Sequence, residues 1–556
     1  MSFRPGPHDA RPPLARRGAD LERLADEAWD VLVVGGGIVG AGAFLDAASR
    51  GLKVALVEQE DIATGTSSRS SRLIHGGLRY LQQLEVGLVR EALAERARLL
   101  RLAPHLVRLE AFLFPLYGPP LVTRAFYQAG ITLYDLLGSR RSGGWHRHLD
   151  VAETLDYAPD LVVEDLRGAL LYHDAMEDDA RFTLAVVRTA QTRFAERAVA
   201  VTRVRATAAR RAGARAHDPI AGARVEDRLT GDTFDVRAAT VVDATGVWGA
   251  LPERPFGPGS FTVLPARGSH LVIPRDRIPA KGGMTLRIPG RVAFLVPWPR
   301  HWVIGTTDKP HDGPVDHIAA TSEDVDEILR TINGAMELHV TRDDVVGTYA
   351  GLRPLIAPSG ASSTVKISRE HKVSVEAPGL VRVSGGKYTT YRVMARDAVD
   401  AALGEEAARR PSRTRHLPIH GAARREQLDA LASRLATGDH ALGPEVAESL
   451  VNRHGTESEA LLAYGAQHDL IRRLVDGAPF LEAEIAWGVE RELALSLDDL
   501  LARRMRLVHT LPDRGAAIAP RVAQIAGHVL GWDADRQARE VAGYLDVARR
   551  EFGIPA

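Results

Sequence analysis

The segment from Asp30 to Glu58 constrains the fold more than any other part of the chain. Residues 30–34, DVLVV, form a short apolar run that predicts a buried strand. The chain then reads GGGIVGAG over residues 35–42, a helix is predicted over 43–50 with Gly51 as its stop, and residues 53–57 predict a second strand ending at Glu58. This is a β–α–β crossover of about 30 residues. Gly35, Gly37 and Gly40 stand in the spacing G-x-G-x-x-G at the strand-to-helix junction. Glycine there permits the tight turn and lets backbone approach a pyrophosphate, while the helix N-terminus turns N–H groups and a positive dipole end toward that phosphate. Glu58 is placed to accept from a ribose hydroxyl, and its charge argues against a 2′-phosphate. Strand, helix, spacing and acidic residue together specify a bound dinucleotide. They do not decide between FAD and NAD.

Two further stretches bear on that choice. Residues 66–72, TSSRSSR, follow the second strand and offer Thr66, Ser67, Ser70 and Arg72 to a pyrophosphate or ribityl chain. Residues 241–246, VVDATG, repeat the pattern of a strand running into small residues, which would bring Ala244 and Gly246 close to a cofactor. Only one complete glycine fingerprint is present. A reductase that binds both FAD and a nicotinamide would show two, so the electron donor is expected to be a small substrate.

Lys plus Arg and Asp plus Glu number 71 each, a balance that argues against a nucleic-acid binder. There is no cysteine, which excludes disulfides, thiolate nucleophiles and Cys-ligated iron–sulfur clusters. The first 28 residues, with prolines and several Arg, lack the apolar core of a signal peptide and read as a flexible leader. No run of about 18 strongly apolar residues predicts a membrane-spanning helix. The expected fold is α/β plus α. A Rossmann-type cofactor domain (about 29–110, 175–260 and 375–404) is interleaved with a β-rich substrate domain (about 111–174 and 261–374), and a helical domain follows over 415–556.

Several motifs then carry a family resemblance. DVLVVGGGIVGAG, TSSRSSRLIHGGLRYLQ, REALAERARLLRLAPHL, MEDDARF, VVDATGVW, ARGSHLVIP, VIGTTD, YAGLRPL and SGGKYTTYR occur in order from about Asp30 to Pro418. Together they resemble the FAD-dependent, respiratory glycerol-3-phosphate dehydrogenases. The tail sequence AEIAWGVERELALSLDDLLARRMR resembles the C-terminal domain of the same family. The leader and residues 210–222 match no part of the pattern. The resemblance implies FAD as cofactor, sn-glycerol 3-phosphate as substrate and dihydroxyacetone phosphate as product. It further implies electron delivery to a membrane quinone, hence peripheral contact with the inner face of the cell membrane from the cytoplasmic side. A homodimer formed through the helical tail is also in keeping with it.

Oxidising a secondary alcohol requires removal of its hydroxyl proton and transfer of a hydride to flavin N5. The resemblance places Arg79 and Tyr80 of HGGLRY at the substrate end of the flavin, Arg353 and Arg369 on the substrate phosphate, and Lys387 beside the flavin ring. His270, in ARGSHLVIP, is the candidate base, since neutral imidazole suits that task near pH 7. Arg353 or a water molecule is an alternative to it. His75, Gly76, Gly386, Lys387 and Thr389 are expected at the cofactor. Asp178 and Asp179 read as a helix N-terminus, and His146 and His148 as loop polarity, with no metal site expected. Phe112 to Arg141 reads either as an interfacial membrane segment or as ordinary packing surface. Three other readings stay open: a glycerol-3-phosphate oxidase that makes peroxide, an amino-acid-oxidase-like flavoenzyme, and a non-catalytic scaffold that binds membranes or partners.

Overall fold

The computed structural model describes residues 12–77, 85–118, 145–288, 291–357 and 370–555. Two sheets organise it. In the first, the strands Leu380–Gly385, Thr233–Asp243, Ala28–Val34, Val54–Glu58 and Ala198–Thr202 lie side by side and parallel. The antiparallel strand His371–Ala377 closes one edge, and the ribbon Val204–Arg211 with Ile220–Asp227 extends from Thr233–Asp243. The parallel strands read as continuous Val, Leu and Ala because both faces are covered. One face carries the helices Ile38–Ser49, Asp179–Arg193 and Tyr391–Leu403, packed through Phe44, Leu45, Phe182 and Met394. The other carries the ribbon and the helix Pro13–Asp26, through Leu24, Trp29 and Val225.

That N-terminal helix corrects the expectation of a loose leader over its length. Leu24 is fully buried, and Arg17 pairs with Asp227 at 2.8 Å. Arg17 anchors the helix to the ribbon, whereas Arg16 reaches Glu490 of the tail at 2.9 Å and Arg23 pairs with Glu27 at 2.7 Å. Residues 210–222, which match no motif, span the turn of that ribbon and the strand ends that flank it.

The second sheet has ten strands among the described residues. Its long central strand Thr262–Pro274 pairs with Gly347–Ala357 on one side and His301–Gly305 on the other. Val107–Tyr117 and Leu166–Glu177 form its other half, joined by Leu73–Ile74 directly after the cofactor loop. The domain limits drawn from composition therefore shift: 73–74 and 107–110 lie in the second sheet, and 371–374 in the first. The β-rich stretch also contains a helix, Ser322–Ala335, which covers one face of this sheet and is capped by Thr321 and Asp324 in reciprocal hydrogen bonds. The opposite face packs on the helical tail through Tyr172, Tyr349, Leu497, Val508 and Phe552. Phe112 and Phe114 are buried in that core, so packing accounts for this part of the stretch Phe112 to Arg141. Residues 119–144 lie outside the described residues.

Candidate active site

A cleft of about 570 Å³ runs from the glycine turn of the first sheet to the central strands of the second. The turn is built as its spacing requires. Gly35 has φ of 110°, and a side chain there would come 2.7 Å from the Ala244 carbonyl oxygen; one at Gly40 would run into the Gly35 carbonyl. The helix Ile38–Ser49 thus meets its strand without a gap. Ser67 Oγ accepts from Ile38 N at 2.9 Å, so the loop after the second strand is tied to the first helical turn. Glu58 Oε2 accepts from Gly36 N at 2.6 Å, and its Oε1 from Glu60 N at 2.8 Å. Burial raises the Glu58 carboxyl to about 7, against the opposing pull of the Gly36 N–H.

At the far end, strand register gathers the polar groups. His270 lies opposite Tyr349, and Ala266 opposite Arg353, on the paired strands Thr262–Pro274 and Gly347–Ala357. Because side chains alternate, residues 266, 268 and 270 share a face with 349, 351 and 353. Glycine at 268 leaves space for the Arg353 guanidinium, which would lie 2.5 Å from a side chain there. That guanidinium donates to Thr306 Oγ1 at 3.0 Å and to Asp308 Oδ1 at 3.1 Å. His270 Nε2 lies 2.8 Å from Ser71 Oγ, and its ring stacks on Tyr349. Burial, reinforced by the cations of Arg353 and Arg72, depresses the imidazole to about 3, so it is neutral at physiological pH. Lys387 lines the same cleft from the turn that follows Gly385 and Gly386, both with positive φ. His75 and Phe294 approach from the other wall, with ring centroids 6.1 Å apart.

The comparisons agree with this geometry. The family model described as FAD dependent oxidoreductase matches residues 30–401, and that of the C-terminal domain of alpha-glycerophosphate oxidase matches 412–537. A glycerol-3-phosphate dehydrogenase of Mycobacterium leprae is 45% identical over 541 residues, 95% of this chain and 89% of the relative. The chain belongs to the FAD-dependent glycerol-3-phosphate dehydrogenase family. The human mitochondrial member is 34% identical over 97% of this chain and 75% of its own length. The solved structure of the Bacillus halodurans dehydrogenase, described as complexed with FAD, superposes with a TM-score of 0.78 at 26% identity, covering 96% of this chain and 97% of that one.

The cofactor of this family fits the cleft. An elongated space begins at a glycine turn with a helix N-terminus, passes the half-buried carboxylate of Glu58, and reaches the wall that carries Lys387. Of the residues expected at the cofactor, Gly35, Gly37, Glu58, Thr66, Ser67, Ser70, His75, Ala244, Gly246, Gly386, Lys387 and Thr389 line it, as do His270 and Arg353. Gly40 acts one layer behind, in the contact between helix and strand.

Arg72 is a correction. Its φ is 58°, which turns the side chain away from the cleft, and its guanidinium is fully buried 3.9 Å from the centre of the Trp298 ring. It shapes the wall and contributes field at His270. Gly76 also falls outside the lining. Arg79, Tyr80 and Arg369 lie outside the described residues. The dehydrogenase fold adds residues that sequence reasoning missed: Ser71 on His270, Thr306 on Arg353, and Trp248, whose Nε1 donates to Asp316 at 2.8 Å. Ser71 sits inside a segment already singled out, but only the long-range pairing shows which hydroxyl meets the imidazole. Asp178 does cap its helix, accepting from Arg181 N at 3.2 Å, whereas Asp179 turns to Ser70 and Arg506.

Proposed function

We propose that the protein oxidises sn-glycerol 3-phosphate to dihydroxyacetone phosphate and passes the electrons to a membrane quinone. FAD, when bound, supplies the hydride acceptor. The observation that carries this reading is the convergence of His270, Arg353 and Lys387 on the cleft that begins at the glycine turn. Arg353 provides a fork for phosphate oxygens, already oriented by Thr306 and Asp308. His270, held neutral, accepts the hydroxyl proton at a ring nitrogen. Burial is the larger opposition to protonation of His270; a phosphate dianion beside Arg353 offsets the lesser, electrostatic part and shifts the basicity of the imidazole upward. Lys387 favours negative charge that develops at its end of the cleft. Arg79 and Tyr80 orient the substrate and Arg369 adds a second phosphate contact; these roles rest on the motifs that contain them.

Quinone as acceptor is in keeping with the dehydrogenase names of the relatives. Peripheral contact with the bilayer belongs to the same proposal; among the described residues no helix is long and apolar enough to cross a membrane. The test is anaerobic addition of glycerol 3-phosphate to the purified yellow protein. Bleaching of the flavin band supports the reading, and a band that persists in FAD-loaded protein removes it. Stoichiometric peroxide on readmission of air, with no reduction of a soluble quinone, would favour the oxidase instead.

A further inference from the structure

We propose that Arg503, Arg504 and Arg506 of the helical tail are positioning residues for FAD, holding the loop of residues 61–71 against the phosphate-binding helix and thereby setting how long the cofactor stays bound. The inference rests on the reading of the cleft as the FAD site.

The loop supplies Thr64, Gly65, Thr66, Ser67, Ser70 and Ser71 to the cleft. On its cofactor side it is fastened to the glycine turn: Ala63 N donates to Gly36 O at 3.1 Å, and Ile38 N to Ser67 Oγ at 2.9 Å. On its far side it is fastened to the tail. Asp61, fully buried, accepts from Arg503 Nε at 2.6 Å and from both terminal nitrogens of Arg504 at 2.7 Å. Arg506 donates to the Ser68 carbonyl at 3.0 Å and pairs with Asp179, which in turn accepts from Ser70 N at 2.9 Å and Ser70 Oγ at 2.7 Å. One short segment of the tail thus grips the loop at both ends, across more than 430 positions of sequence.

The backbone of that segment is irregular in a way that serves the grip. Asp499–Arg504 is a π-helical turn, an arrangement concentrated at functional positions. It is followed by Arg506 in the left-handed region at φ 61°, uncommon for a residue with a side chain. The wide turn sends Arg503 and Arg504 to Asp61, and the reversal sends Arg506 to Ser68 and Asp179. Asp499 anchors the segment from behind, accepting from Arg203 at 2.8 Å and from Arg503 at 2.6 Å. A buried carboxylate that loses its cations is strongly disfavoured. Removing part of the grip therefore lets Asp61 seek water, and the loop that carries Ser67 moves with it.

The experiment follows free-flavin fluorescence after dilution of the holoenzyme. Arg504→Gln should release FAD at least tenfold faster than the wild type, with Arg504→Lys intermediate because it keeps the charge and loses the fork. Arg521→Gln, which breaks a pair with Glu482 inside the tail, should release FAD at the wild-type rate. If Arg504→Gln does not fold, Arg506→Lys is read in the same way. Wild-type release from the Arg504 or Arg506 variant overturns the proposal, and so does equal acceleration in Arg521→Gln, since that would show general loosening of the tail. A wild-type protein that never binds FAD would instead sink the cofactor reading on which it rests.

Discussion

The ring of Tyr349 lies flat against that of His270, with centroids 4.6 Å apart and planes within 12°. The ring of Tyr349 also meets His509 of the helical tail nearly at right angles, with centroids 5.0 Å apart, and its hydroxyl donates to the Ser70 carbonyl at 2.9 Å. The imidazole is therefore fixed in plane by the stack and in rotation by Ser71. Ser71→Ala should keep FAD bound yet slow flavin reduction by about ten- to a hundredfold, a share of what a positioned base contributes. Stopped-flow reduction under anaerobic conditions measures this, and an unchanged rate would remove Ser71 from the account.

Arg353→Ala should raise the glycerol 3-phosphate concentration for half-maximal reduction by about tenfold to a hundredfold, the range expected for a lost charge-assisted hydrogen bond. Arg353→Lys should recover part of the loss. Titrations of flavin bleaching against substrate decide it; equal midpoints in the wild type and Arg353→Ala would exclude contact with the phosphate.

Glu58 gives a pH dependence with a defined sign. In the free protein burial lifts its carboxyl to about 7. Ribose hydroxyls donate to the anion, so FAD binding must expel the proton wherever the group is protonated. Affinity for FAD should therefore strengthen as pH rises toward 7, by at most about tenfold per pH unit, and level off above it. In Glu58→Gln the profile should be flat over that range. Equilibrium titrations by flavin fluorescence quenching at several pH values test the slope.

Two buried ion pairs, one joining the cofactor domain to the tail and one inside the tail, predict acid lability. Arg181 donates to both oxygens of Glu492 at 2.6 and 2.8 Å, and Arg453 to both oxygens of Glu484 at 2.7 and 2.8 Å. Burial opposes both charges, but the Arg partners and His454 outweigh it: Glu484 is brought down to about 2 and Glu492 well below the usual carboxylate range. A depressed folded pKa stabilises above the unfolded value near 4.5 and is lost as pH falls through the folded one. Stability should decline from about pH 4.5 down toward 2. Glu492→Gln should cost about 3–5 kcal/mol at pH 7, because Arg181 is left buried without its counter-charge. Urea midpoints across pH report both effects.

Local signals carried much of this into the sequence. The glycine turn, its flanking strands and Glu58 lie within one short segment whose chemistry is self-contained, and the helical tail shows in its composition. His270 and Arg353 are legible as motif members, although only strand register places them on one face. What the sequence does not display is pairing across long separations. Ser71 with His270, Asp61 with Arg503 and Arg504, and the backbone reversal that turns Arg72 away from the cleft all depend on tertiary packing. The helix Ser322–Ala335 is hidden for a related reason, as a single amphipathic element inside a strand-rich stretch. The N-terminal helix is masked by prolines, one of which begins it.

The most direct measurement is a crystal structure of the protein with FAD and glycerol 3-phosphate. A phosphate oxygen is expected within about 3 Å of the Arg353 guanidinium. The carbinol hydroxyl is expected within hydrogen-bond reach of His270 or Ser71, on the same side of the cleft as Lys387. A phosphate seated elsewhere, or a flavin ring remote from His270 and Lys387, would contradict that placement.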